Sequence, residues 1–143
     1  MSLTRKAALG LVASTTAAMF VGGMGTAHAA GDLYGSMAVG IDGDYYSIGT
    51  TWNYEDQGGA DAAALEQCGV PSCYVKIRWV NGCAALANRD GTLYTGLGRT
   101  KAMAEANAIA ASGPDPSPLL VSLGSSEPSS VHIADSQCTG NAG

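Results

Sequence analysis

Apolar positions along this chain follow two periods, and the order of those periods recurs. Tyr74-Val75-Lys76-Ile77-Arg78-Trp79-Val80 alternates, with Val75, Ile77 and Trp79 on one face and Lys76 and Arg78 on the other. That alternation predicts a strand with one buried and one wet face. Upstream, Gly35–Val39 and a second short run flank Asp42-Gly43, which predicts a hairpin because both turn residues tolerate positive φ. From about Ala60 to Cys68 the pattern turns helical. Gly69 and Pro71 supply the stop signals.

The second half echoes the first. Gly82-Cys83-Ala84-Ala85-Leu86 lines up with Gly35-Ser36-Met37-Ala38-Val39, and Asp90-Gly91 with Asp42-Gly43. Tyr94 matches Tyr46, and Gly96 matches Gly49. Thr100 is placed to cap a second helix in which Met103, Ala106, Ile109 and Ala110 form an apolar stripe, ended by Gly113-Pro114. A proline-rich insertion, Pro114–Pro118, must be loop or extended. Leu119–Leu123 reads as a strand, Gly124–Ser130 as a turn and Val131–Ala134 as a last short strand, before a frayed tail over 139–143. The expected fold class is α+β. Two hairpin–helix–strand units, related by a weak internal repeat, form one mainly antiparallel sheet with two helices.

The first 29 residues change the setting. Arg5 and Lys6 precede an apolar run from Ala7 to about Met24, and Ala27-His28-Ala29 offers small residues to a signal peptidase. They read as a signal peptide cleaved after Ala29, which leaves a single secreted domain over 30–143 in the cell envelope or the medium. Removing Arg5 and Lys6 leaves five basic side chains against twelve acidic ones. Repulsion from phosphates excludes nucleic acid as a partner. No second apolar run reaches the roughly 18 residues of a membrane span.

Export decides how the four cysteines are read. Three pairings are possible. Cys68 closes the first helix and Cys73 opens the next strand, so a local bridge fits the turn between them; a Cys83–Cys138 bridge would then tie the two halves together. A zinc site is the competing reading, with only the Cys68–Cys73 spacing in its favour.

These residues resemble a family of small exported actinobacterial and proteobacterial proteins, domain of unknown function 4189. The resemblance is carried by Tyr34-Gly35-Ser36-Met37-Ala38, Gln67-Cys68-Gly69, Cys83-Ala84-Ala85-Leu86-Ala87 and Gly96-Leu97-Gly98-Arg99-Thr100, in order, over Tyr34 to about Gly113. The family's usual Trp-x-Cys ending is replaced here by Asp135-Ser136-Gln137-Cys138. The resemblance implies secretion and this architecture, and it supplies no reaction.

Candidate chemistry is sparse. His132, with Asp135 three residues on, could serve a Ser–His–Asp arrangement, but no Gly-x-Ser-x-Gly elbow accompanies it. An EF-hand loop from Asp42 would need Gly at 47 and Glu at 53, where Ser47 and Asn53 stand. Asp44, Glu55, Asp56 and Asp61 could pair as glycosidase carboxylates, though a solvated acidic edge before a helix explains them better. Gly96-Leu97-Gly98 lacks the remainder of any phosphate-binding fingerprint and reads as a tight strand-to-helix connection. No catalytic residue, cofactor or metal is therefore assigned. The expectation is a non-catalytic protein that binds another protein or an envelope component; a structural envelope component and an envelope hydrolase are the alternatives. Tyr74, Lys76 and Arg78 are the candidate surface, because two of the few basic residues share one strand face there.

Overall fold

The computed structural model describes residues 31–143, so the signal peptide read over residues 1–29 lies outside it. Strands β1 (Tyr34–Asp42) and β2 (Tyr45–Tyr54) form a hairpin, followed by helix α1 (Gln57–Cys68) and strand β3 (Tyr74–Val80). The second unit is β4 (Cys83–Arg89), β5 (Thr92–Gly98), α2 (Lys101–Ala111), a short α3 (Pro118–Ser122) and β6 (Val131–Cys138). The class is α+β, the pairing is antiparallel and both bridges are present.

The single sheet expected from the pattern is two three-stranded sheets, ordered β2-β1-β3 and β5-β4-β6. Each unit thus places its first strand in the middle. The reason lies in β1 and β4, which are apolar on both faces. Met37 and Val39 on β1 meet Ala84 and Leu86 on β4 between the sheets, joined there by Trp79 and Leu93. Ala38 faces α1 with Ala64 and Cys68, while Cys83, Ala85 and Ala87 face α2 with Ala104 and Ala108. A strand buried on both faces needs a layer on each. The result is helix, sheet, sheet, helix.

Both hairpin loops have two residues. Asp90 and Gly91 both take positive φ (52° and 83°), as a type I′ turn requires. In the first hairpin the loop is Gly43-Asp44, one residue later than Asp42-Gly43; Asp42 still pairs with Tyr45, and Gly43 supplies the positive φ.

The helices sit unusually close to their sheets. A Cβ on Gly49 would lie 2.1 Å from the Ala64 carbonyl oxygen, and one on Gly96 2.2 Å from the Ala108 nitrogen. Gly98 likewise abuts the backbone of Met103 and Ala104. This explains a second departure from the pattern: α2 buries Ala104 and Ala108, not the stripe Met103, Ala106, Ile109 and Ala110. Only alanine fits against a glycine-bearing strand, so the bulkier Met103 and Ile109 turn outward. Gly96→Ala is expected to lower stability by about 1–3 kcal/mol, because the clash is with helix backbone rather than a movable side chain. A urea midpoint unchanged from wild type would contradict this close contact.

Caps fix the helix starts. Asp56 accepts from the Gly59 N–H at 2.7 Å and Thr100 from the Met103 N–H at 3.2 Å. Leu119–Leu123, read as a strand, forms the helix α3 instead, with Pro118 in its first turn, where a missing N–H costs nothing. Val131–Ala134 is only the first half of β6.

The bridges join Cys68 to Cys73 and Cys83 to Cys138. The first closes the α1–β3 turn. The second does not tie the two halves together: Cys83 and Cys138 are ladder partners on β4 and β6, their Cα atoms 4.0 Å apart. It staples the first strand of the second unit to the last.

Candidate functional site

The face proposed from sequence is divided by a bulge. Ile77 pairs with Met37 and Val75 with the next residue, Ala38, so Lys76 is skipped in the ladder. Arg78 lies opposite Ser36 on the α1 side, whereas Tyr74 lies opposite Val39, a residue of the inter-sheet core. Trp79 is buried and Ile77 packs against the same core, while Val75 and Lys76 are both half-buried. β3 is also an edge strand of its sheet, not a central one.

Arg78 is engaged within the protein. Its Nε donates to Asp61 Oδ2 at 2.8 Å. Ser36 donates its hydroxyl to Asp61 Oδ1, and Gln57 Nε2 donates to the same oxygen at 3.0 Å. Burial resists ionisation of Asp61, but the hydrogen bonds from Ser36, Arg78 and Gln57 and the Arg78 charge outweigh it, holding the carboxyl below the ordinary 3.8. A lowered folded-state value gives stability that is present above the unfolded value and lost as pH falls through the folded one. Asp61→Asn is therefore expected to flatten the pH dependence of stability below about pH 4. Parallel acid titrations of the two proteins, followed by circular dichroism, check this; identical slopes would contradict it. Lys76 stays available, its ammonium 6.0 Å from the Tyr74 ring centroid.

The other sequence candidates are dispersed. His132 is exposed on β6 opposite Asn88, and Asp135 instead accepts the Thr50 hydroxyl across the two sheets. Asp56 caps α1, Asp61 lies within α1 and is held by Ser36, Gln57 and Arg78, and Asp44 sits in the hairpin turn. Among the described residues no three His, Cys, Asp or Glu side chains gather as a metal site, and no helix is long and apolar enough to cross a membrane.

The proline-rich insertion is clamped. Arg89, whose side chain is 10% exposed, donates to the Gly113 carbonyl at 3.0 Å and pairs with Asp115 at 2.8 Å. It also reaches Ser112 and, beyond α3, Ser129. Between these ties, α3 presents Leu119 and Leu123 to solvent.

A groove of about 530 Å3 opens at one end of the inter-sheet core. Trp79 lies against it, with its ring stacked over Gly35, where a Cβ would come within 2.2 Å of the indole. Val80, Leu97 and Met103 form its half-exposed apolar walls. Asn81 and Asn107 border it, and Arg99 stands at the start of α2. Arg99 pairs with no carboxylate among the described residues. Sequence reading missed this set because its members come from the end of β3, the β3–β4 link, the end of β5 and the first turns of α2. One signal was available: Leu97 and Arg99 alternate with Gly96 and Gly98, so glycines facing the helix turn their bulky neighbours away from it.

Two mycobacterial proteins are similar to this chain, Rv1269c of Mycobacterium tuberculosis (strain ATCC 25618 / H37Rv) and Mb1300c of Mycobacterium bovis. Each is 32% identical over 80 residues, which is 56% of this chain and 61% of the relative, so the chain spans about three fifths of their length. The NMR structure of Rv1813c from Mycobacterium tuberculosis is similar over 74% of both chains, at 23% identity and a TM-score of 0.46. The model of the domain of unknown function DUF4189 matches residues 34–114, more than half of the sequence, and the chain belongs to that family.

Proposed function

We propose that this is an exported, non-catalytic binding protein, released from its leader after Ala29 and built from a duplicated hairpin–helix–strand unit. It engages an extracellular or envelope component through the groove at Trp79, Leu97 and Met103. The leader pattern and two disulfides support an oxidising destination. The observation that carries the reading is the groove itself, where Val80, Leu97 and Met103 stay about half exposed beside Arg99, which pairs with no carboxylate among the described residues. Elsewhere the charged groups that sequence offered as a surface are partly consumed internally, since Arg78 is held by Asp61.

Site-specific photocrosslinking tests this reading. A photoreactive side chain at Leu97 is expected to give a light-dependent adduct in the producing cells or their medium, and the same group at Tyr74 is not. An adduct from Tyr74 alone would move the binding surface to β3.

A further inference from the structure

We infer that the groove takes an aliphatic chain bearing a single carboxylate, a free fatty acid, with the carboxylate on Arg99. This deepens the preceding proposal and rests on it. The first argument is which polar groups around the groove are already used. Asn81 Oδ1 accepts from the Leu33 N–H at 2.9 Å and from Asn141 at 2.6 Å, and its Nδ2 donates to Asp32 at 2.7 Å. Asn107 Nδ2 donates to the Leu97 carbonyl at 2.7 Å, which covers an outward backbone acceptor of edge strand β5. The Gly82 carbonyl is taken by Thr139 through both its N–H and its hydroxyl.

A peptide laid in this groove would find these groups already taken, and burying its own backbone groups unpaired is costly. An aliphatic chain has no such groups. It gains only from covering Val80, Leu97 and Met103, half exposed as they are. The second argument is charge. Arg99 lines the groove and pairs with no carboxylate among the described residues, whereas Asn81 is bonded to the Asp32 carboxylate. That polarity directs an anionic head to Arg99 and away from Asn81, and a guanidinium can hold a carboxylate bidentately.

Dodecanoate titrated into the exported, oxidised protein is the test. Trp79 fluorescence is the readout, isolated by Trp52→Phe, since these are the only two tryptophans. Saturable binding is expected, weakened about tenfold or more by Arg99→Gln, as loss of a charge-assisted hydrogen bond implies. Dodecanol is expected to bind comparably weakly, and dodecyltrimethylammonium more weakly still. Met103→Ser, at a half-exposed position, is expected to weaken both dodecanoate and dodecanol. Equal binding of dodecanoate and dodecanol, unmoved by Arg99→Gln, would overturn the carboxylate assignment while leaving the groove as a binding surface. No binding of any of these chains, or preferential binding of a hexapeptide or of phosphatidylglycerol vesicles, would overturn the inference altogether. The Leu97 adduct then judges the groove on its own.

Discussion

Replacing Trp79 by alanine is expected to destabilise the protein by about 3–5 kcal/mol, the range of large aromatic truncations in a packed core. The space between the sheets is filled by few large side chains: Met37, Val39, Leu86 and Leu93, with Trp79 at the groove end. The rest of the interior is largely alanine, which cannot move to refill the void. Gly35 beneath the ring leaves further empty space once the indole is gone. A small domain holds only about 5–15 kcal/mol in total, so much of its stability would be lost. Trp79→Phe is expected to cost less, because it also removes a buried indole N–H that has no acceptor. Urea denaturation of both variants checks this, and a Trp79→Ala cost below about 1 kcal/mol would show that the ring is not part of the core.

Removing the Cys83–Cys138 bridge is expected to be the other large effect. On the loop-entropy model its sequence separation of 55 corresponds to about 4 kcal/mol, against about 2 kcal/mol for the separation of 5 in Cys68–Cys73. Each bridge is best removed by replacing both cysteines with alanine, which leaves no free thiol. The Cys83/Cys138 variant is expected to melt well below the Cys68/Cys73 variant. The bridge restrains the second unit, since it joins ladder partners of β4 and β6. Its loss is therefore expected to raise hydrogen exchange in β6 first and in β3 least. The reverse order of melting temperatures would contradict the loop argument.

Much of the local structure was legible in the chain, because turns, caps and stops are written in single residues. Asp90-Gly91, Thr100 and Gly69 each act where their chemistry places them. The layer arrangement was harder to read. Alternation along β3 pointed to one half-wet sheet, but the more telling signal lay in β1 and β4, whose unbroken small and apolar runs mark strands covered on both faces. The α2 face was misread for a related reason: hydrophobic periodicity ranks Met103 and Ile109 above alanine, whereas contact with Gly96 and Gly98 admits only alanine. The short, mostly apolar stretch Leu119–Leu123 carries no period of its own, so its pattern does not separate a helix from a strand. The groove could not be read at all. It is made where the β3–β4 link, β5 and α2 converge, and no pattern along the sequence reports that meeting.

Backbone amide chemical shifts of the oxidised protein, followed by NMR as extract of the producing cells' envelope or medium is added, test the central claim most directly. Binding through the groove predicts shifts concentrated in Val80–Cys83 and Leu97–Met103, abolished when Leu97 is replaced by Asp in a still-folded protein. Shifts confined to Tyr74–Arg78, or to the insertion around Leu119–Leu123, would contradict it.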